Sequence, residues 1–534
     1  MKTLAYFGAV GDGITDDTTA IQTALDSGEM LDGEYLAYAI NQTVDRTFDD
    51  LALKNTAFFM PSSSFNCSNL SSAFATNMVG LSVHGLLGGA LTPVKNIRLK
   101  NIKFYTDNGS GRKMLPLCIR NAENVQVLEP EIYGFGTGVG IKLDSIQGYQ
   151  SYIERAYIHD FYDNYGSYTG AGAQITGIEI DNDRVNGNSI IHIHRPVIKD
   201  IVAGPTFVAA YQDQTDGINY QGSGSSIRIT DFYIDNCAEG IDFWGKDSLI
   251  NSGIIKNSRD TGLKFVHGAS GNMASNIVID GFGIQGVIFS GSNVPGLGDT
   301  FGNKVYDLDI KNGNYQNNGK SGTAICFDDG HPTSLYAAKE NRAYNCKLTP
   351  GPYSTLLVRY DGATRLDTLN NLALGCISPM GLTAANYTNC TLPQVTDSIP
   401  TRLSVYPSGA QTIAASTYTK LLYNQEVYDD RNEYNTTTYR FTAQYPGKYR
   451  VTGQTKFSTV AAGKVIDLEI RKNGSRFSIN SFRVDGTGDN SASINDTLKL
   501  VGGDYLELWV RHNDTTARDT VGLRDSAFFN IEMI

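Results

Sequence analysis

Glycines recur in this chain at a nearly constant interval, and that interval dictates the fold class. Four segments align under one another: 215–222 (TDGINYQG), 238–245 (AEGIDFWG), 260–268 (DTGLKFVHG) and 284–291 (IQGVIFSG). Their glycines, Gly217, Gly240, Gly262 and Gly286, are 23, 22 and 24 residues apart, and 175–182 (ITGIEIDN) is an earlier copy. Self-similarity at this period marks a solenoid, in which each repeat buries its apolar face against its neighbours. Each unit reads Gly-apolar-x-apolar, then a turn, then a second short strand such as 226–234 (SIRITDFYI) or 276–284 (NIVIDGFGI). No helical periodicity separates the strands. The prediction is a parallel β-helix with coils stacked about 4.8 Å apart.

Side chains alternate along a strand. Ile178, Ile218, Ile241, Leu263 and Val287 are predicted to form one inward apolar ladder, and Ile180, Tyr220, Phe243, Phe265 and Phe289 a second. The residues between them are predicted to face out: Glu179, Asn219, Asp242, Lys264 and Ile288, then Asp181, Gln221, Trp244, Val266 and Ser290. One exterior face would then carry carboxylates, amides, a lysine and a tryptophan in register, as the wall of a groove suited to a sugar chain.

The 534 residues are too many for one compact core and suit a solenoid with an extra domain. A net charge of −11 without a basic stripe argues against nucleic acid as a partner. No apolar run reaches the length of a membrane span. The opening MKTLAYFGAVGDG lacks the apolar core of a secretory signal. Seven cysteines without CxxC spacing do not form a disulfide framework, so reduced, mostly buried thiols and synthesis in a reducing cytoplasm are expected. The sequence calls for no cofactor or metal; FDDG at 327–330 is read as a turn rather than a calcium loop.

Residues 7–28 begin with Gly8, Gly11 and Gly13 in a tight loop. Thr15 or Asp16 is predicted to cap a short helix with Ala20, Ile21, Ala24 and Leu25 on one face, Asp16 and Asp17 in its first turn and Gly28 as its stop. Such a helix would cover the open end of the solenoid. Residues 50–95 are apolar without a clear period and are read as irregular coils or an insertion. Coils resume at 94–104, 124–135 and 152–161 and continue, less regularly, at 302–313, 321–330, 340–348 and 354–362. Pro379, Pro393, Pro400 and Pro407 then break the pattern. Beyond them, alternating strands at 438–445, 447–458, 464–474, 504–513 and 526–534, with turns at PGK and KNG, predict an antiparallel sandwich. The expected organisation is a cap at 1–30, a β-helix at 31–377, a linker at 378–403 and a C-terminal domain at 404–534.

FGAVGDGITDDTTAIQ (7–22), followed by DGEYLAYAI (32–40), resembles the opening of the pectate-lyase-like superfamily as it occurs in bacteriophage tailspikes. DTGLKFVHGASGN (260–272) and GFGIQGVIFSGS (281–292) are similar to a stretch of phage capsule-degrading tailspikes. EYNTTTYRFTAQYPGKYRV, IRKNG, GDYLELWVR and SAFFNIEMI resemble the C1q-like jelly roll. Together the resemblances imply an all-β chain: a right-handed parallel β-helix with a short N-terminal capping helix, then a C-terminal antiparallel jelly roll that trimerises or binds carbohydrate. They also imply a homotrimer on the virion tail, made in the host cytoplasm and acting at the host cell surface. The solenoid opens near residue 3, without the particle-binding domain tailspikes usually carry. Attachment through the phage baseplate or another tail protein is one reading, and a trimmed chain the other.

Cleaving a polysaccharide by hydrolysis takes paired carboxylic groups. Asp216 and Glu239 each precede a coil glycine on adjacent coils, so their backbones should lie about 4.8 Å apart. Asp242 follows Glu239 by three residues, and Glu179 occupies the same outward position two rungs away. Crowding four acids raises the pKa of at least one, as a general acid needs. QTDGIN (214–219) resembles the NTDGI motif of polygalacturonases, and CAEGID (237–242) falls where that family has its aspartate pair. The resemblance implies catalytic roles for Asp216 and Glu239, although the family's Gly-His-Gly and RIK are absent; VHG places His267 nearby.

The expected catalytic set is Asp216, Glu239, Asp242 and Glu179. The expected sugar contacts are Trp244, Lys264, His267, Asn219, Gln221, Tyr220 and Asp181, with Trp244 stacking on a sugar face and Lys264 pairing Asp242 or an acidic sugar. The leading expectation is hydrolysis of a bacterial capsular or O-antigen polysaccharide. The alternatives are a lyase using Lys264, His267, Tyr220 or an arginine as base, and a non-catalytic receptor-binding fibre.

Overall fold

The computed structural model describes residues 1–61, 78–85, 92–107, 113–162, 175–182, 189–203, 215–222, 225–292, 295–316, 322–328, 336–353, 357–361, 371–376, 387–388, 395–397, 401–444 and 447–534. Gln214, Asp329, Gly330, Pro379, Pro393, Pro400 and most of the expected linker therefore lie outside the described residues. The chain divides into two compact units near residue 390.

The first unit is a parallel β-helix. Its first sheet stacks Thr137–Gln147, Ile175–Asp181, Thr215–Gln221, Glu239–Phe243, Thr261–Phe265, Gln285–Ser290 and Thr323–Asp328, all parallel and in register. A second sheet runs through Ser151–Glu154, Ser189–His194, the first halves of Ser225–Asp235, Leu249–Ser258 and Met273–Phe282, and Lys304–Tyr306. The later halves of those long strands, with Tyr157–Tyr162, Val197–Val202 and Asp309–Gly313, make a third.

The repeat glycines are explained by close approach. A Cβ on Gly217 would stand 2.6 Å from the Gly240 carbonyl oxygen and 2.7 Å from Ile234 Cγ2; on Gly240 it would stand 2.5 Å from the Gly262 oxygen and 2.6 Å from Ile255 Cγ2. No side chain fits there. The bend between the second and third sheets places one residue per coil in the left-handed region, including Asp231 (φ 54°), Asn276 (φ 55°), Asp307 (φ 53°) and Asn345 (φ 53°). Asn and Asp tolerate that conformation best among residues with a side chain.

Both predicted inward ladders form. Ile178, Ile218, Ile241, Leu263 and Val287 are buried in register, as are Ile180, Tyr220, Phe243, Phe265 and Phe289. The aromatic column continues to Phe327, with ring centroids 5.0 to 6.1 Å apart from Tyr220 onward. A third column was not anticipated. Asn272, Asn303, Asn341 and Asn371 stack inside the solenoid, each side-chain amide donating to the next carbonyl: 2.8 Å from Asn272 to Asn303, 2.9 Å to Asn341 and 3.1 Å to Asn371. Each also donates to a backbone carbonyl of a neighbouring turn, so the buried amides are satisfied.

Two local expectations are corrected. The described parts of 50–95 are regular: Ala52–Phe59, Met78–His84 and the start of Val94–Tyr105 are parallel strands of the solenoid. Val79 to Val83 are buried on both faces, which erases the alternation a sequence pattern would show there, whereas Ala52–Phe59 and Val94–Tyr105 keep it. The helix spans Thr18–Asp26 and its N-cap is Asp17, not Thr15 or Asp16, so its first turn holds no acid. The Asp17 carboxylate instead ties back the glycine loop, accepting from Val10 N at 2.6 Å and Gly11 N at 3.1 Å. Ile21, Ala24 and Leu25 are buried under the helix. The five cysteines described are free and buried, as expected.

The second unit is an antiparallel sandwich. One sheet orders Gln425–Asp429, Arg402–Tyr406, Phe528–Met533, Gly447–Val460 and Gly488–Leu500; the other orders Tyr434–Asn435, Arg440–Thr442, Tyr505–His512, Val465–Lys472 and Ser475–Arg483. Sheet neighbours come from distant parts of the chain, the order of a jelly roll. A single core, including Val405, Phe441, Tyr449, Leu468, Leu508 and Phe529, lies between them. The KNG turn is a two-residue hairpin with Asn473 (φ 51°) and Gly474 (φ 79°) both left-handed. Arg402–Tyr406, Ser475–Arg483 and Gly488–Leu500 had not been read as strands.

Replacing Asn303 by Ala leaves buried groups of Asn272, Asn341 and Ala269 short of a partner. It should lower the stability of the solenoid by about 2–4 kcal/mol in urea or thermal unfolding, whereas Lys100→Ala, at an exposed position of Val94–Tyr105, should shift it by less than about 0.5 kcal/mol.

Candidate active site

The register of the first sheet assembles the site. Asp216 lies opposite Glu239, Asn219 opposite Asp242, and Asp242 opposite Lys264. Glu179 lies opposite Asn219, two rungs from Asp242. Lys142 in turn lies opposite Glu179. Five successive rungs thus present Lys142, Glu179, Asn219, Asp242 and Lys264 in one column. The charges read plus, minus, neutral, minus, plus. Asp216 and Glu239 stand in the adjacent column, on the rungs of Asn219 and Asp242.

Hydrogen bonds knit these groups together. Asn219 Nδ2 donates to Asp216 Oδ2 at 2.9 Å and to Asp242 Oδ2 at 3.4 Å. Lys264 Nζ lies 3.1 and 3.0 Å from the two Glu239 oxygens and 3.4 Å from Asp242 Oδ2. Trp244 Nε1 donates to Asp242 Oδ1 at 3.2 Å. At the other end, Lys142 Nζ meets Glu179 Oε1 at 2.6 Å. Trp244 sits edge-to-face on His267, centroids 4.2 Å apart, and His267 Nδ1 is 2.7 Å from Ser292 Oγ. Asp216 Oδ1, Asn219 Oδ1 and Glu179 Oε2 are buried and have no hydrogen-bond partner among the described residues.

The expected open groove wall is corrected. Asp216, Glu239, Asp242, Glu179 and Asn219 are each 5% exposed or less. Ile288 and Val266 are buried too. Adjacent rungs bring outward side chains within reach of one another, and the ion pairs lay them flat along the sheet. Lys264, Trp244, His267, Asp181 and Gln221 are the half-buried members, so the acids form a floor under a partly open rim. Tyr220 is removed from the sugar contacts: its ring is fully buried in the inward aromatic column against Phe243.

Burial and crowding govern the charges. Asp216 is pushed well above the usual carboxylate range, first by loss of solvent and then by the charges of Glu239 and Asp242. Glu239 is raised from its ordinary 4.5 to about 7 by burial; Lys264 opposes the shift, and Asp242 and Asp260 add to it. Burial would discharge Lys264, but Asp242, Glu239 and Asp216 outweigh it and hold the ammonium charged. One lysine serves three carboxylates, so not all three ionise together. Among the described residues Asp216 forms no ion pair, and burial beside Glu239 and Asp242 favours its protonated form. His267 is lowered, chiefly by burial, and so is neutral near pH 7.

No known protein family matches this chain, and no characterised protein does. Solved structures similar to it include Eiger TNF of S. frugiperda (12% identity, TM-score 0.21), covering 25% of this chain and 92% of that one. The globular domain of zebrafish complement 1qA is 20% identical with a TM-score of 0.20, over 25% of this chain and 97% of that one. Murine APRIL at pH 5.0 is 13% identical with a TM-score of 0.21, over 25% of this chain and 99% of that one.

Sequence reasoning missed Lys142 and Arg259. Lys142 lies in GIKLD (140–144), which has the repeat's own Gly-apolar-x-apolar form and could have been found by it. Arg259 donates to Thr215 Oγ1 at 2.6 Å and to Asn236 Oδ1 at 2.8 Å, pinning the start of the strand that carries Asp216. No group of metal-binding residues occurs among the described residues.

A carboxyl with a raised folded-state pKa binds its proton more tightly folded than unfolded. Its contribution to stability is complete below the unfolded value and is lost as pH rises through the folded one. For Glu239 that window runs from 4.5 to about 7. The melting temperature should fall across this window, and Glu239→Gln should flatten the fall; an unchanged slope would remove Glu239 as its source.

Proposed function

We propose that this protein is a phage tailspike that binds a bacterial capsular or O-antigen polysaccharide and depolymerises it by hydrolysing glycosidic bonds. The observation that carries the reading is the division of labour within one buried cluster. Asp216 favours its protonated form and has one oxygen, Oδ1, with no partner among the described residues, as suits a group that protonates a leaving oxygen. Asp242 accepts from Trp244, Lys264 and Asn219, the surroundings of a carboxylate that activates water. Glu239, raised to about 7, is the second proton reservoir. Glu179 is paired with Lys142 and contributes to binding rather than to the acid–base step. The half-buried edge of Trp244 and His267, flanked by Gln221 and Asp181, is where a sugar ring approaches the floor. The reading extends to a homotrimer on the virion tail, joined to the baseplate or another tail protein, on the strength of the sequence resemblances.

A lyase is favoured by one observation. His267 is a neutral imidazole two residues beyond the strand that carries Lys264, a charged lysine able to hold a uronate carboxylate. Lys264 itself, held protonated, is no base, and Tyr220 is enclosed. The near-complete burial of the acids favours the third reading, a fibre that binds without cutting.

Incubation with capsular and O-antigen polysaccharides from a panel of bacteria separates these, with products analysed by mass spectrometry and ultraviolet absorbance. The expected products are saturated oligosaccharides of repeat-unit mass. Asp216→Asn and Asp242→Asn should each lower kcat by roughly 10²–10⁴-fold while polysaccharide binding persists. Products lighter by one water, abolished by His267→Ala, would establish the lyase. Binding without cleavage on every strain bound would leave the fibre.

A further inference from the structure

The second sheet carries a groove of about 550 Å³ that the acid cluster does not use. Its lining includes Arg228, Asp247, Leu249, Met273, Lys304 and Tyr306. Arg228, Leu249, Met273 and Lys304 occupy one outward column on four successive rungs. The two cations therefore stand three rungs, or about 14 Å, apart along the solenoid axis. Leu249 and Met273 form an apolar floor between them, and Met273 is 42% exposed. Tyr306, two residues beyond Lys304, stacks on Tyr344 of the next rung at 5.0 Å.

The charge pattern of this column differs from that of other columns on the same solenoid. Lys142, Lys264, Lys103, Lys311 and Lys347 each meet a carboxylate on an adjacent rung. Arg228 and Lys304 are exposed and form no ion pair among the described residues. The groups directly above and below them are not acids: Arg228 lies between His192 and Leu249, and Lys304 between Met273 and Arg342. Like charges facing each other across a sheet destabilise it. A chain of net charge −11 thus keeps Arg228 and Lys304 without an ion pair among the described residues, beside an apolar floor.

We propose that this groove binds an extended anionic glycan, a polysaccharide bearing carboxylates. Arg228 and Lys304 hold acidic groups spaced along the chain, and Leu249, Met273 and Tyr306 lie against its sugar rings. The guanidinium matches a carboxylate in two-point contact, and the ammonium adds a second, point-like anchor. The apolar floor covers ring faces that neutral and acidic sugars share, so the cations supply the selectivity. This site does not depend on the acid cluster being catalytic, and it makes the polymer an acidic one.

The test uses the full chain in affinity electrophoresis and titration calorimetry, with polygalacturonate as the acidic probe and dextran as the neutral one; cleavage is not read. Polygalacturonate should bind and dextran should not, with affinity falling as salt rises. Arg228→Gln with Lys304→Gln should weaken binding by about tenfold and reduce its salt dependence, with thermal unfolding unchanged because both side chains are exposed. Equal retention of both polymers, or full binding by the double variant, would overturn the proposal. A double variant that sediments as a smaller species than the parent would also overturn it and assign the groove to contact between copies of the chain.

Discussion

The column of glycines at 177, 217, 240, 262 and 286 sets the spacing of the solenoid. A side chain at any of them would strike the carbonyl of the next coil and an isoleucine packed across the interior. With the side chain absent, successive backbones hydrogen-bond in strict register. Register then has a consequence that a compact globular core lacks. Whatever residue type occupies a position on one coil meets its counterparts on the next at about 4.8 Å. Apolar positions become ladders, corner asparagines become a hydrogen-bonded column, and outward charges are forced into contact.

Whether that forced contact is harmless depends on stoichiometry. Lys142 and Glu179 stack one against one and form a closed pair. Lys264 faces Glu239 and Asp242, with Asp216 behind them, and one ammonium does not balance three buried carboxylates. The excess is resolved by retaining protons, on Asp216 and, up to about pH 7, on Glu239. The hydrogen bonds follow the same division. Asp242 receives the donors, while Asp216 receives one amide and leaves an oxygen unpaired. The asparagine column is the neutral counterpart: each amide both donates and accepts, so stacking satisfies it at every rung between the column's ends.

Much of this was legible in the residues. The glycine interval located the coils, alternation assigned both inward ladders, and the offset from each glycine placed Asp216 opposite Glu239 and Asn219 opposite Asp242. The asparagine column was not legible, because Asn272, Asn303, Asn341 and Asn371 are 31, 38 and 30 residues apart. Segments of unequal length between coils hide a period the stacked strands keep. The regularity of the coils at 52–59 and 78–84 was not legible for a related reason: Val79 to Val83 are buried on both faces and show no alternation to read.

The sequence by itself determined which residues share a column, since register in a solenoid is set by local pattern and one conserved offset per turn. It did not determine what surrounds the columns. Tyr220 was assigned to both the interior and the sugar face, and only packing against Phe243 placed it inside. The outward acids were expected to meet water, yet the folded chain closes over them. Desolvation is the sum of everything within several ångströms, contributed by coils remote in sequence, so no short pattern encodes it. The tertiary structure therefore decided which carboxyls keep their protons, and with that the chemistry the cluster can perform.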